Sequence, residues 1–144
     1  MYTHRKHNEK IVEILELNIF GEETVFDHIG LAVKSIKDIA DSEVRIIDDK
    51  RQKVFVAFIS MHGIKIELIE PNAKNSPVSD SMAKGQYLVH LCFRVPDIDL
   101  AVKKARENGF HRISLPVPAP AFDDKKIVWV FSKTYGLMEL LEIL

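Results

Sequence analysis

The feature that most constrains this fold is an internal repeat of two apolar, β-prone segments, each with one histidine near its middle. The first copy is Phe26–Val33, which contains His28, and the second is Gln86–Val95, which contains His90. In both copies a valine follows five residues after the histidine, and a short polar, helix-prone segment comes next. A repeat whose matching position is a histidine predicts a site built across two equivalent halves.

Composition narrows the class of protein. The 144 residues fit one domain or two small fused modules, and a hydrophobic fraction of 47% is enough for a packed core. A net charge of −1 without a large basic block gives no support for nucleic-acid binding. Cys92 is the only cysteine, so no intrachain disulfide can form, as in a reducing cytoplasm. Because Glu13 and Glu16 interrupt the apolar stretch Ile11–Phe20, we expect neither an exported leader nor a membrane span.

Residues 1–24 precede the repeat and are predicted to form a helical extension. From about Asn8 to Ile19 the apolar residues are spaced so that Ile11, Ile14 and Leu15 share a helical face. This spacing predicts an amphipathic helix whose apolar face packs on the domain or on a second subunit.

Residues 25–144 divide into two modules, 25–70 and 86–144, joined by a polar linker at 71–85 with a helical turn near Ser79–Ala83. Each module has the predicted order β-α-β-β-β, which indicates an α+β fold. The predicted strands are Phe26–Val33, Glu43–Asp48, Lys53–Ser60, Ile64–Ile69, Gln86–Val95, Phe110–Leu115, Lys125–Ser132 and Leu137–Ile143, and the predicted helices are Ser35–Ser42 and Asp97–Asn108. The proline-studded loop Pro116–Asp124 is predicted to border a substrate opening.

Two glutamates stand out because side chains alternate between the two faces of a strand. Glu67 points opposite an apolar row in the last strand of module one, and Glu139 lies within an apolar row in the last strand of module two. A carboxylate among apolar neighbours is costly unless it is paired or bound to a cation. His28 and His90 share their faces with small residues, which leaves room beside them: Gly30, Ala32 and Cys92.

If the modules pair edge to edge, His28, Glu67, His90 and Glu139 converge. Two imidazoles and two carboxylates suit Zn²⁺, Ni²⁺, Co²⁺ or Fe²⁺, and an open sheet leaves positions for water or substrate. Any one of these residues alone is more often structural, but their matching positions in the repeat favour a metal site. Cys92 is interpreted as a small buried residue, and His62 and His111, which have no counterparts in the other half, are interpreted as surface residues.

Over residues 26–144 the chain resembles the vicinal oxygen chelate superfamily, which includes glyoxalase I, methylmalonyl-CoA epimerase, extradiol dioxygenases and bleomycin-resistance proteins. The motifs that carry the resemblance are Asp27–Val33, Ile66–Pro71, Val89–Val95 and Gly136–Glu142. The resemblance implies an open, curved mixed sheet, one divalent ion (Ni, Zn or Co), a small-molecule carbonyl or thioester substrate, and a homodimer.

Within that superfamily the His/Glu/His/Glu set is similar to glyoxalase I, a lyase that isomerises a hemithioacetal to a thioester through an enediolate. That resemblance implies Glu139 as the catalytic base and Glu67 as the second catalytic residue and steadier ligand. Ala32 and Pro71 occupy positions where some glyoxalases hold glutathione. One alternative is a methylmalonyl-CoA epimerase-like enzyme, because the linker with Ser76-Pro77 is similar to that of methylmalonyl-CoA epimerases. The other is a non-catalytic small-molecule-binding or resistance protein. The additional carboxylate argues against a two-histidine, one-carboxylate dioxygenase.

Overall fold

The computed structural model describes residues 4–7, 10–40 and 43–143, and its core is one open mixed sheet of nine strands. A separate two-stranded hairpin precedes the sheet. The strands are β1 His4–His7, β2 Lys10–Glu13, β3 Val25–Ala32, β4 Ile47–Asp49, β5 Val54–Met61, β6 Ile64–Pro71, β7 Leu88–Val95, β8 His111–Arg112, β9 Val117–Pro118, β10 Lys126–Ser132 and β11 Gly136–Glu142. The helices are α1 Pro77–Ala83 and α2 Ile98–Glu107.

The two predicted modules pair through their first strands within one chain. The sheet order is β4-β5-β6-β3-β7-β11-β10-β8, with β9 beside β10. In each half the first strand runs parallel to the last, β3 beside β6 and β7 beside β11, while β3 and β7 run antiparallel at the centre. The four strands that carry the predicted site residues are therefore adjacent, and the predicted α+β class with an open mixed sheet is confirmed.

Helix α2 covers the second half and begins where the sequence predicts. The Asp97 side chain caps it by accepting a hydrogen bond from Leu100 N at 3.1 Å. Its buried residues recur at helical spacing and pack on β10 and β11: Ile98, Ala101, Val102 and Ala105. Neither helix in the described ranges is long and apolar enough to cross a membrane.

The predicted helix Ser35–Ser42 is wrong over its described residues. A single turn forms instead, in which Ile39 N and Ala40 N both donate to Ile36 O. Only Ile36 is fully buried there, while Ile39 is 53% exposed. A segment this short cannot offset the cost of helix nucleation without an apolar face to bury. Residues 41 and 42 lie outside the described part of the chain.

The N-terminal helix predicted for about residues 8–19 is also wrong over its described part. Residues 10–13 form β2, and residues 14–18 have no regular structure. The apolar side chains at Val12, Ile14, Leu15 and Leu17 are all more than half exposed, so the described chain offers no surface against which a helical stripe would pack. An isolated helix of this length is marginal in water. The apolar helix face that was one reason to expect a homodimer is therefore absent from the described residues.

Equivalent hydrogen bonds in the two halves join the last strand of each half to the segment that follows its first strand. Three residues after its site glutamate, each last strand has a second glutamate that accepts a backbone N–H: Glu70 Oε1 from Ile36 N at 2.7 Å, and Glu142 Oε2 from Ile98 N at 2.9 Å. In both halves the donor follows the site histidine by eight residues. The two carboxylates hold the segment after the first strand against the last strand.

We expect Glu142→Ala to lower the free energy of unfolding by about 1–3 kcal/mol, because it leaves the N–H of buried Ile98 without an acceptor at the start of α2. Urea denaturation measures the change. Glu16→Ala, which removes an exposed carboxylate, is the control. Equal stability of the two variants would contradict a stabilising role for this hydrogen bond.

Candidate metal centre

Strand register places the four predicted site residues in two adjacent rows across the sheet. In one row Gly30 pairs with both Glu67 and His90, and in the other Cys92 pairs with both His28 and Glu139. Each row thus has a glutamate, a small residue and a histidine. The rows lie two residues apart along the central strands, so their side chains share one face.

All four side chains are buried, and their polar atoms meet at one point. The two Nε2 atoms of His28 and His90 lie 3.3 Å apart. Glu139 Oε1 lies 3.4 Å from His28 Nε2 and 3.5 Å from His90 Nε2. Glu67 Oε1 lies 3.7 Å and 3.6 Å from the same two atoms. The structure therefore brings the predicted set together, while their role as metal ligands stays a prediction.

These spacings fit a divalent cation. Ligand atoms held about 2.0–2.2 Å from one ion lie roughly 3.0–3.6 Å from one another, depending on the coordination angle. Glu139 Oε1 is buried and has no hydrogen-bond partner among residues 4–7, 10–40 and 43–143, although a buried carboxylate oxygen is costly when it is left unpaired. Two imidazole nitrogens and two carboxylate oxygens are the donors that Zn²⁺, Ni²⁺ and Co²⁺ accept.

The electrostatics of the cluster also favour a positive charge at this point. Burial works against the imidazolium of His28, but the neighbouring groups, Asp27 first among them, outweigh burial and raise its pKa. Burial works against the carboxylate of Glu139, but the imidazoles of His28 and His90, 3.4 and 3.5 Å from its Oε1, hold its pKa well below the usual range. Burial raises the pKa of the Cys92 thiol, which keeps it neutral and supports its interpretation as a small buried residue.

Aromatic rings enclose the two histidines. The Trp129 ring meets His90 edge-on at 4.8 Å between centroids, and the Phe122 ring stacks over His28 at 5.7 Å. Phe58 contacts His28 from another side at 5.5 Å. These contacts restrict rotation of both imidazoles.

A cavity of about 440 Å³ opens onto this cluster, a size suited to a small-molecule ligand. Glu67, His90 and Glu139 line it, whereas His28 is fully enclosed. Most of the wall is apolar and comes from both halves: Val54, Val56, Ile69, Val78, Val89, Ile113, Ala119, Ala121, Phe122, Trp129 and Leu137. Three of these residues belong to Pro116–Asp124, in agreement with the prediction that this loop borders the opening.

The sequence analysis did not identify Asp49, a further carboxylate on the cavity wall that lies outside the four-residue cluster. Asp49 comes directly after the predicted strand Glu43–Asp48, but in the structure it ends β4, is 3% exposed and lines the cavity. It accepts hydrogen bonds from Gln52 N at 3.0 Å and Gln52 Nε2 at 2.7 Å. No pattern in the sequence marks it. His62 and His111 are exposed, as predicted.

The fold and the cluster define a protein of two modules that share one mixed sheet, the second with a helix after its first strand and the first with a single turn there, and with a candidate metal centre where the two modules meet. The family model for the Glyoxalase/Bleomycin resistance protein/Dioxygenase superfamily matches residues 27–129. The chain therefore belongs to that superfamily, as the sequence motifs suggested.

Three relatives add detail. The chain is 41% identical over 127 residues to an uncharacterized protein, YqjC, of Bacillus subtilis (strain 168), covering 81% of this chain and 90% of that protein. It is 27% identical over 100 residues to an ethylmalonyl-CoA/methylmalonyl-CoA epimerase of Cereibacter sphaeroides, covering 67% and 75%. It shares its fold with a solved methylmalonyl-CoA epimerase from Mycobacterium tuberculosis, with a TM-score of 0.67 and 20% identity over 90% and 92% of the two chains.

Proposed function

We propose that this protein is a divalent-metal-dependent isomerase that moves a proton at the carbon next to the carbonyl of an acyl-CoA thioester, in the manner of an epimerase. The observation that carries the proposal is the convergence of His28, Glu67, His90 and Glu139 at a cavity lined mainly by apolar side chains. The similarity to epimerases of ethylmalonyl-CoA and methylmalonyl-CoA supports the choice of substrate class.

The chemistry follows from the groups that face the cavity. A bound divalent cation supplies a Lewis acid that favours loss of a proton next to a carbonyl. His28, Glu67, His90 and Glu139 would hold that cation. Glu67 and Glu139 also line the cavity, so a substrate bound there would meet both carboxylates. Inversion at carbon requires proton transfer on both of its faces, and two carboxylates on different strands, β6 and β11, can provide it.

The glyoxalase I-type lyase expected from the ligand set is the second candidate. Glu67 favours it, because the carboxylate completes the His/Glu/His/Glu set that resembles glyoxalase I. Both candidates use the same proton transfer next to a carbonyl, so substrate recognition separates them. The epimerase similarity of the relatives favours the thioester. A non-catalytic binding protein would not need four converging ligands.

The first experiment is metal analysis of the purified protein followed by an exchange assay. We expect wild type to hold about one divalent ion per site after reconstitution with Co²⁺, Ni²⁺ or Zn²⁺. We also expect it to exchange the α-proton of methylmalonyl-CoA for deuterium in D₂O. His90→Ala should lose both, because it removes a cavity-facing ligand, whereas His111→Ala, which removes an exposed histidine, should lose neither.

Three outcomes would contradict the proposal in different ways. Metal binding with turnover of the methylglyoxal–glutathione hemithioacetal, but no exchange on the acyl-CoA, would assign the glyoxalase-type activity. Metal binding without either reaction would indicate a binding module. Failure of wild type to bind any of the three metals would remove the metal centre itself.

A further inference from the structure

Asp27 occupies an irregular position beside the candidate metal centre. In a regular strand, neighbours point to opposite faces, so Asp27 would point away from His28. The pairing of β3 with β7 shifts at this point: Phe26 pairs with Phe93 and His28 with Cys92, which leaves Asp27 without a partner. This is a β-bulge, a feature that re-aims a side chain. It brings Asp27 Oδ2 to 2.7 Å from His28 Nδ1.

The contact determines which ring nitrogen of His28 is free. A neutral imidazole has one N–H donor and one acceptor nitrogen. Because the carboxylate of Asp27 accepts from Nδ1, the neutral imidazole that binds a cation would have its lone pair on Nε2, the atom that faces His90, Glu67 and Glu139 at 3.3–3.7 Å. Metal-binding histidines are commonly oriented by a carboxylate on their second nitrogen, and the partner also raises the basicity of the ligand.

Two cations hold the Asp27 carboxylate in place. Lys65 Nζ lies 3.2 Å from Oδ2, and Arg94 Nε forms an ion pair with Oδ1 at 3.1 Å. Lys65 comes from β6 and Arg94 from β7, the two strands that flank β3. Both carboxylate oxygens are therefore engaged, and the group keeps one orientation toward the imidazole.

The second half of the repeat lacks this arrangement. Val89 occupies the position before His90, and no hydrogen bond reaches His90 Nδ1 from the described residues. The His90 ring is held by packing instead, between Gly30 and Trp129. The repeat is thus asymmetric: one histidine is oriented by a carboxylate and the other by contact with backbone and indole.

We propose that Asp27 is a positioning residue for the metal centre: through the bulge in β3 it fixes the proton on His28 Nδ1 and aims Nε2 at the ion. This role rests on the metal site of the proposed function. Asp27 does not line the cavity.

Titration with Co²⁺ against a competing chelator tests the role. We expect Asp27→Ala to weaken Co²⁺ binding roughly 10- to 100-fold, the usual effect of removing a carboxylate behind a histidine ligand. Asp27→Asn should fall between Asp27→Ala and wild type, because its amide oxygen still accepts from Nδ1 but has no charge. It is also the variant to use if Asp27→Ala does not fold. Asp99→Asn, which removes an exposed carboxylate on α2, should bind Co²⁺ like wild type.

A second readout separates positioning from general stabilisation. In the Zn²⁺-loaded protein, the hydrogen-bonded Nδ1–H of His28 should give a protected downfield proton resonance, and Asp27→Ala should lose it. A folded Asp27→Ala variant with wild-type Co²⁺ affinity and an unchanged ring resonance would overturn the role of Asp27 and leave the metal site standing. Failure of wild type itself to bind Co²⁺ would overturn the site, and this role with it.

Discussion

Gly30→Ala should abolish high-affinity metal binding without removing any ligand. A Cβ built on Gly30 overlaps the Cε1 and Nδ1 atoms of His90, because the imidazole lies directly on the backbone of the paired residue. The ring cannot give way easily, since Trp129 packs against it at 4.8 Å. We expect a loss of at least about 100-fold in Co²⁺ affinity, comparable with the loss of His90 as a ligand.

Two comparisons make the Gly30 experiment specific. Gly85→Ala strains a glycine with φ +75 that has open space around it, so it should reduce stability and leave Co²⁺ affinity unchanged. Because Gly30 acts through His90, the double variant Gly30→Ala, His90→Ala should bind Co²⁺ no more weakly than His90→Ala alone. Wild-type affinity in a folded Gly30→Ala variant would show that His90 does not rest on this backbone when it binds the ion.

The convergence of the four candidate ligands can be predicted from the sequence, because it follows from two patterns: alternation of side chains along each strand and the internal repeat. Alternation along a strand determines which residues share a face, and a shift of one residue would move a whole apolar set to the wrong side. The repeat then brings equivalent residues of the two halves to the same face of the sheet: the histidines His28 and His90, and the glutamates Glu67 and Glu139. What remained open was whether the halves pair within one chain, and the central β3–β7 pairing shows that they do.

Asp27 shows where such reasoning fails. Alternation predicts that it faces away from His28, and only the register shift against β7 reverses this. A bulge depends on how two strands far apart in sequence pair, so neither segment alone signals it. Asp49 is similar, because residues from the other half of the chain complete the cavity that it lines.

The strand at the edge of the sheet in the second half is shorter than the sequence predicts, for a physical reason. The predicted strand Phe110–Leu115 pairs with β10 only at His111 and Arg112. Beyond them Ser114 Oγ accepts the Trp129 N–H that a strand carbonyl would otherwise accept. Side-chain competition of this kind ends a ladder at an edge, although the residues have the composition of a strand.

Glu139→Gln should separate binding of the ion from proton transfer. The amide keeps the size of the side chain and one oxygen that can face the cation, but it cannot accept a proton. With Co²⁺ at saturation we expect the rate of α-proton exchange to fall by about 10²- to 10⁴-fold, the usual contribution of a general base. KM should change much less than kcat, since the group acts on the reacting carbon and not on the rest of the substrate.

Glu67→Gln is the matched comparison, because Glu67 lines the same cavity from the other half of the repeat. If Glu139 is the base and Glu67 the steadier ligand, Glu67→Gln should weaken Co²⁺ binding while the saturated variant keeps its exchange rate within about tenfold. The reverse order of effects would transfer the base to Glu67, and equal losses would indicate that each carboxylate serves one face of the substrate carbon.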